Sequence, residues 1–288
     1  MSAEQPQVEH DGVLRRIEER TGEIVTALRS ASASLGGPSS LPGWSRRTIV
    51  CHLRFGAEAS LRVTSDALAG IPTSFYPGGR DVERPATLEI RPGEDDGALL
   101  RSLEEASRAL HHCWAATESP WHIRVLEDVR VRRLGDLVLR DYQILRLTEV
   151  EVHGTDLDLG LSDWSDLFVR TALPWRLGRL AAGIGVRLDG MPDTGFACCF
   201  RTTDGAAYEV VASSGGIVAG SLDRQPAERS PASPGPAGDA PLSRPGMIIV
   251  GSERDTLAVL LGRRPVVPLR TTGDAEALRL FKAHCPGP

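Results

Sequence analysis

The chain has 288 residues, of which 41% are hydrophobic and 25% are charged, and its formal net charge is −5. This balance is typical of a soluble globular protein with a real core, in one large domain or two smaller ones. The mild acidity gives no reason to expect nucleic acid or an anionic membrane as a partner. No apolar run approaches the ~18–20 residues that span a bilayer. The first residues also lack the basic and apolar regions of a signal peptide, so we expect a cytoplasmic protein.

The first half of the chain is a series of long amphipathic segments. Apolar residues recur in them at helical spacing, and glycine, proline and N-cap residues mark their ends. The predicted helices cover about Val8–Leu35, Ser45–Leu68, Asp95–Ala116 and Gly135–Leu157. We expect Pro72–Gly93 to be a loop, whereas Pro120–Arg133 fits either a loop or a short strand pair. Four long helices with short to medium connections predict an up-and-down bundle.

The pattern changes after Gly160. Trp164–Gly185 is predicted to be one more helix, broken by Pro174. Short β-type runs separated by turn residues follow, at Gly195–Arg201, Ala207–Ala212, Gly216–Gly220, Met247–Val250 and Val266–Arg270. Two further helices are predicted at Ser252–Leu261 and Asp274–His284.

These elements predict a two-domain α+β protein. We place an up-and-down four-helix bundle at residues 1–165 and a smaller C-terminal α/β domain at residues 166–288. Within the second domain, residues 224–245 are rich in Pro, Ser, Ala and Gly and contain almost no large apolar residue. We therefore expect that stretch to be a flexible insertion.

The segment Leu147–Asp156 in the fourth predicted helix carries the most information about function. It places Glu149 and His153 at i and i+4, on the same face of the helix. A carboxylate oxygen and an imidazole nitrogen can then converge on one divalent metal. Asp156 lies one turn further on, where it can accept the outer N–H of a ligating histidine. The alternative is an ordinary exposed Glu–His pair, worth about 0.2–0.5 kcal/mol.

A metal site also needs a ligand from a neighbouring helix of the bundle. His52 is the best candidate because it lies on the core side of the second helix, where an imidazole needs a buried acceptor, a water or a metal. His52, Glu149 and His153 would leave at least one coordination position open, which is the arrangement of a catalytic zinc. Such a metal can polarise a carbonyl or activate a bound water or thiol.

The remaining histidines and the cysteines are not assigned to this site. The adjacent His111 and His112 are expected to be surface residues or to support the ligands. His10 and His284 lie near the termini and are expected to be solvated. Five cysteines, an odd number without any Cys-x-x-Cys spacing, do not predict a disulfide framework, a zinc ribbon or a thioredoxin-type site.

Two motifs occur together in the chain: the turn Leu41–Ser45 followed by Cys51-His52-Leu53, and the later run Arg146-x-x-Glu149-x-x-x-His153-x-x-Asp156-Leu157. Together they resemble the mycothiol-dependent maleylpyruvate isomerase family, which belongs to the wider DinB-like metalloprotein bundles. Gly251–Arg263 and Thr272–Asp274 are similar to the small C-terminal α/β domain of that family. The resemblance covers nearly the whole chain, and residues 224–245 are its main departure.

The resemblance implies zinc, or another divalent metal, on His52, Glu149 and His153. It also implies mycothiol as thiol cofactor or co-substrate, bound to the metal as a thiolate that attacks an electrophilic carbon. In maleylpyruvate isomerisation the thiolate adds to the cis double bond, rotation follows, and loss of the thiol gives the trans product. An arginine of the C-terminal domain is implied to assist, and Arg263, with Arg264 beside it, is the best match. The alternative for Arg263 is a cation that complements a helix C-terminus.

Three functions fit this sequence. The protein isomerises maleylpyruvate or a close relative, or it is a mycothiol S-transferase or thiol-exchange enzyme, or it is a non-catalytic metal-binding stress protein. A cleft between two domains is a natural place for a substrate, which argues against the third function. The first two both need an activated thiolate and differ in the pocket walls, so both stay open. The expected partners are a small electrophile and a low-molecular-weight thiol, and the oligomeric state stays open.

Overall fold

The structure is a computed structural model that describes residues 4–30, 34–127, 137–203, 205–222 and 246–285, with only the helical backbone given for residues 4–9. The chain separates into two compact units, Met1–Phe168 and Val169–Pro288. The first unit is mainly helical and the second contains the larger sheet. The predicted α+β class, with a helical N-terminal part and a C-terminal part built on strands, is therefore confirmed. The insertion predicted at residues 224–245 lies outside the described residues.

The helices that come first in the chain are α1 (Glu4–Ser30), α2 (Arg46–Leu68), α3 (Arg80–Thr87), α4 (Asp96–Ala115) and α5 (Leu139–Asp156). The four long ones form a ring of contacts, in which α1 and α2 each pack against both α4 and α5. Aliphatic residues at helical spacing fill the interior, among them Ile24, Ile49, Leu53, Leu99, Leu103 and Leu139. Each such side chain contributes roughly 1.5–3 kcal/mol by its burial.

Side-chain caps define where these helices begin. Ser45 Oγ accepts a hydrogen bond from the N–H of Thr48 at the start of α2, and the carboxylate of Asp95 caps α4 in the same way. A short antiparallel pair, β1 (Arg124–Val125) and β2 (Leu137–Val138), comes directly before α5. The ambiguous segment Pro120–Arg133 thus contributes a strand to a short pair.

The short helix α3 corrects one prediction. It lies within Pro72–Gly93, which the Pro and Gly content had indicated to be a loop, so that prediction is wrong for residues 80–87. Asp81 and Glu83 lie in its first turn, where a negative charge interacts favourably with the helix dipole and stabilises the helix. Glu83 Oε1 also accepts the N–H of Gly78 at 2.7 Å, and this bond ties the start of α3 to the preceding turn.

Helix α6 (Asp166–Ala181) corrects a second prediction, because it continues through Pro174. Proline removes one helical hydrogen bond, to the carbonyl four residues earlier. Pro174 and Arg170 are both exposed, so this bond is lost on the solvent side of the helix, where water can replace it.

The larger sheet has the strand order β5-β4-β3-β6-β7. Its strands are β3 (Phe196–Thr202), β4 (Ala207–Ser213), β5 (Gly216–Ser221), β6 (Met247–Gly251) and β7 (Arg270–Gly273). Neighbours are antiparallel except for β3 and β6, which run parallel. Helices α7 (Glu253–Leu260) and α8 (Ala275–His284) pack on β3, where Phe281 makes edge-to-face contacts with Phe196 and Phe200.

The last strand lies further along the chain than predicted. Val266 and Val267 were expected to begin it, but their N–H groups donate to Asp255 Oδ1 at 2.8 and 3.2 Å. These residues are therefore a loop bound to α7, and the strand begins at Arg270. No helix in the described part of the chain is both long and apolar enough to cross a membrane.

Candidate metal centre

His52 on α2 meets Glu149 and His153 on α5. Glu149 Oε2 lies 2.7 Å from His52 Nε2 and 3.2 Å from His153 Nε2. One ligand atom from each of the three residues lies within 4.8 Å of the others. The structure thus brings the three predicted ligands together, although His52 and Glu149 are 97 positions apart in the chain. An isolated i,i+4 pair on an exposed helix face would not have this third partner.

The donor atoms fit a divalent metal. Two imidazole nitrogens and one carboxylate oxygen are a ligand set that zinc accepts, at about 2.0–2.2 Å from each atom. His153 directs its other nitrogen, Nδ1, towards Asp156 Oδ2 at 2.9 Å. Such an outer hydrogen bond fixes the orientation of a ligating histidine, and it is the contact that the spacing of Asp156 predicted.

The turn Leu41–Ser45 brings an aromatic ring against both histidines. The N–H of Trp44 donates to the carbonyl of Leu41, and Gly43 has φ +79°, a conformation that glycine adopts without strain. The indole of Trp44 then stacks on His153, with ring centroids 5.9 Å apart and planes inclined by 13°. It meets His52 edge-on at 5.5 Å. Trp44 therefore restricts the orientation of both imidazoles.

The residues on either side of this turn are attached to the C-terminal end of α5. Ser40 donates two hydrogen bonds to the carbonyl of Asp156, from its N–H at 2.9 Å and its hydroxyl at 3.1 Å. Arg46 Nε donates to the carbonyl of Leu157 at 2.9 Å. Carbonyls in the last turn of a helix have no partner inside the helix. Ser40, before α2, and Arg46, the first residue of α2, thus cap the end of α5 and hold together the two helices that carry the cluster.

Arg146 links the same two helices from the interior. Its side chain is 2% exposed, and it donates to the carbonyl of Leu53 at 2.7 Å and to Ser107 Oγ at 3.2 Å. Burial lowers the pKa of Arg146 to about 10, although the charge of Glu149 acts in the opposite direction. At neutral pH the guanidinium is still a cation, so it also balances part of the negative charge of Glu149.

The protonation of the cluster follows from burial and from the contacts among its members. Burial lowers the pKa of His52, even though Glu149 favours its charged form. Burial opposes the charge on His153 as well, but hydrogen bonds to Asp156 and Glu149 outweigh it and raise the pKa of His153 to about 9. Burial also disfavours ionised Glu149, yet the two histidines hold its pKa well below the usual value. Without a metal, the cluster thus carries its extra proton on His153.

The other histidines are placed as follows. His10 and His284 are buried, 3% and 9% exposed, and each ring forms a hydrogen bond, so the prediction that they are solvated is wrong. Near a chain terminus, packing against other elements can bury a residue that the sequence leaves unmarked. His112 is exposed, and the half-exposed His111 lies 3.5 Å from Glu18 at the surface, as expected.

Arg263 belongs to the second unit. It follows α7, its N–H donates to the carbonyl of Ala258, and its guanidinium lies 3.4 Å from the carbonyl of Leu261. These contacts suit a cation at a helix C-terminus, which was the alternative interpretation. Its catalytic role stays a prediction.

Sequence reasoning assigned no role to Trp44 or Arg146, although both lie in the two motifs. It also assigned no role to Arg84, a residue of α3 whose guanidinium lies close to the ring of Trp44. Nothing in the local sequence distinguishes Arg84 from the many other arginines. Its position depends on a short helix that the sequence did not indicate.

The chain is similar to known proteins both in sequence and in fold. The family described as mycothiol maleylpyruvate isomerase N-terminal domain matches residues 14–158, half of the chain. No curated protein matches the chain. A crystal structure of the mycothiol-dependent maleylpyruvate isomerase is 19% identical over 91% of this chain and 92% of that chain, with a TM-score of 0.60. A histidine-to-alanine mutant of that isomerase is 18% identical, with the same coverage and TM-score.

At this level of identity the solved structures are informative about the fold, and the family match rests on the sequence itself. The matched residues include the turn before α2 and all three residues of the cluster. The chain belongs to the mycothiol-dependent maleylpyruvate isomerase family of enzymes.

Proposed function

We propose that the protein is a zinc-dependent enzyme that uses mycothiol to act on an electrophilic small molecule, by cis–trans isomerisation of maleylpyruvate or a close relative. The observation that carries this proposal is the cluster of His52, Glu149 and His153 against Trp44, in a chain of this family. A zinc ion bound there would lower the pKa of a small thiol, so that the nucleophilic thiolate is present at neutral pH.

The protein's own residues have separate tasks in this proposal. His52, Glu149 and His153 hold the ion, and Asp156 orients His153 through the hydrogen bond at Nδ1. Trp44 covers the face of His153 and keeps water from that side. We assign to Arg263 the binding of a carboxylate or carbonyl oxygen of the substrate, a task for which the guanidinium fork is suited.

Three of the chain's five cysteines are poor nucleophiles, which favours the use of an added thiol. Burial raises the pKa of Cys51 to about 11, of Cys198 to about 12 and of Cys285 to about 11. At neutral pH these groups are thiols and not thiolates, so they are poor nucleophiles. Cys51 is also fully buried, although it is next to His52 in the sequence. A low-molecular-weight thiol such as mycothiol would supply what these side chains lack.

The test is an isomerisation assay on the zinc-loaded protein, with maleylpyruvate as substrate, with and without mycothiol. We expect turnover that requires both the metal and the thiol. Turnover without mycothiol, or none from the metal-loaded protein with mycothiol present, would contradict the proposal. Consumption of mycothiol without isomerisation would instead assign the protein to the S-transferases or thiol-exchange enzymes.

A further inference from the structure

Arg84 is a cation held beside the candidate metal centre. Its Cζ lies 5.5 Å from the centroid of the Trp44 ring, in a cation–π contact. The same indole stacks on His153 and meets His52 edge-on. One aromatic side chain thus joins the guanidinium to both imidazoles.

The guanidinium of Arg84 has no carboxylate partner in the ranges that the structure describes. Two other arginines differ in this respect, since Arg54 pairs with Glu94 and Arg91 with Glu58, each at 2.6 Å. Arg84 is half-buried, and a partly desolvated charge without a counter-ion is unfavourable. A contact with a ring face stabilises the charge and leaves N–H donors for another ligand.

We propose that Arg84 binds a carboxylate of the electrophilic substrate and thereby determines specificity at this site. The inference rests on the proposed function, in which the substrate meets a thiol at the cluster of His52, Glu149 and His153. It names the residue of the first unit that would recognise a carboxylate of maleylpyruvate or of a close relative. The planar guanidinium can donate hydrogen bonds to both carboxylate oxygens. The hydrogen bond from the N–H of Gly78 to Glu83 ties the start of α3, the helix that carries Arg84, to the preceding turn.

This role predicts discrimination between an acid and its amide. A neutral electrophile of the same shape offers no charge to the guanidinium. A carboxylate gains a charge-assisted bidentate contact close to the metal centre, where Trp44 excludes part of the water. The difference should appear in ligand binding itself, before any reaction with a thiol.

The experiment is a calorimetric titration of the zinc-loaded protein with maleate, a dicarboxylate with a cis double bond, and with maleamide, its neutral diamide. We expect Arg84→Met to weaken maleate binding at least about tenfold, as the loss of a charged hydrogen bond requires, and to leave maleamide binding unchanged. Arg84→Lys keeps the charge but loses the bidentate guanidinium, so its maleate affinity should lie between those of the native protein and of Arg84→Met. The control Arg29→Met removes an exposed arginine that pairs with Glu104 and should change maleate affinity by less than about twofold.

Equal maleate affinity in the native and Arg84→Met proteins overturns the inference, and so does the absence of maleate binding by the native protein. Zinc content and the thermal midpoint are measured for every variant. If Arg84→Met does not fold, the maleate affinity of Arg84→Lys is compared with that of the native protein instead. The titration needs neither mycothiol nor turnover. A protein that binds maleate through Arg84 without isomerising anything would contradict the proposed function alone, and an active isomerase with unchanged maleate affinity in Arg84→Met would contradict this inference alone.

Discussion

The two histidines of the cluster are supported unequally by the residues around them. His153 has the carboxylate of Asp156 at Nδ1, whereas His52 Nδ1 is buried and has no hydrogen-bond partner among the residues that the structure describes. A buried polar group without a partner costs about 1–3 kcal/mol. The orientation of His52 therefore depends more on Glu149, on Trp44 and on a bound ion than that of His153 does.

Removing one imidazole tests the assignment of the ligands. We expect His153→Ala to lose most of its bound zinc, because two protein ligands hold the ion far more weakly than three. The measurement is elemental analysis after dialysis of the purified protein. His112→Ala removes an exposed imidazole and should keep the native zinc content. If His153→Ala retains stoichiometric zinc, the proposed ligand set is wrong.

The protonation of His153 predicts how zinc affinity depends on pH. Its pKa of about 9 means that the ring is protonated at pH 6.5 in the metal-free protein, while His52 is neutral and Glu149 is ionised. Zinc must displace that proton, so binding should release about one proton and weaken about tenfold per unit of falling pH below 9.

Calorimetry of zinc binding in two buffers with different ionisation enthalpies measures the released proton. Asp156→Asn removes the hydrogen-bonded carboxylate that raises the pKa of His153. Zinc binding to this variant should therefore release a smaller fraction of a proton. Zinc affinity that stays flat between pH 6 and pH 8 would show that His153 carries no proton to displace.

The meeting of His52, Glu149 and His153 was predictable because each position rests on local spacing. Glu149 and His153 are related by one helical turn, and the core-side position of His52 follows from the periodicity of α2. The roles of Trp44 and Arg84 were not predictable, because the first depends on how a turn packs against α5 and the second on the position of α3. Both are tertiary contacts, to which no spacing along one element corresponds.

Helix α5 also buries polar groups outside the candidate metal centre. Glu151 is fully buried, and Arg16 Nε of α1 donates to it at 2.7 Å. Arg20 Nε lies 3.3 Å from the same carboxylate, and Ser165 Oγ donates to it at 2.6 Å. Breaking such a buried ion pair on one side typically costs about 3–5 kcal/mol. This network fixes α5 against α1.

Gly154 tests how closely this network is packed. A Cβ at this position would lie 2.8 Å from Arg20 Nε, so Gly154→Ala should displace the guanidinium and destabilise the protein by about 1–3 kcal/mol. Urea unfolding gives the free energy of unfolding directly. The matched control is Gly22→Ala on α1, where a Cβ meets nothing within 4 Å and alanine should stabilise by roughly 0.5–1 kcal/mol. Equal stability of the two variants would mean that the side chain of Arg20 can move away from the added Cβ without lowering the free energy of unfolding.

The elements that the sequence predicted poorly share one cause. Helix α3 is short and depends on first-turn charges and one side-chain bond, which are weaker signals than the Pro and Gly content around them. Strand β7 is exposed throughout, so it has no alternation of buried and exposed residues, whereas Val266 and Val267 resemble a strand by composition. By contrast, α2, α4 and α5 differ from their predictions only at the ends, because long periodic segments carry a strong signal.

In the whole molecule, the residues of the candidate metal centre all belong to the first unit, Met1–Phe168. The matched family model also ends within that unit, at residue 158. The interior formed by the four long helices belongs to it as well. So do the hydrogen bonds from Ser40 and Arg46 to the end of α5, and the network of Arg16, Arg20 and Glu151. The elements that position the ligands are therefore contained in it.

We expect residues 1–168, produced alone, to fold and to bind zinc with the same stoichiometry as the full chain. Circular dichroism reports the helices, and elemental analysis reports the metal. Residues 1–168 carrying His153→Ala serve as the control and should contain little zinc. A folded fragment without zinc would mean that the cluster of His52, Glu149 and His153 does not hold the ion by itself.

The distance along the chain between His52 and Glu149 has a consequence for the energetics of folding. An ion held by both residues joins positions 97 apart, and it therefore closes a long loop as a disulfide would. On the chain-entropy account, a cross-link over a loop of that length is worth about 4–5 kcal/mol. Unlike a disulfide, this link can be withdrawn by a chelator without any change of redox state. The amount of folded protein would then follow the supply of free metal.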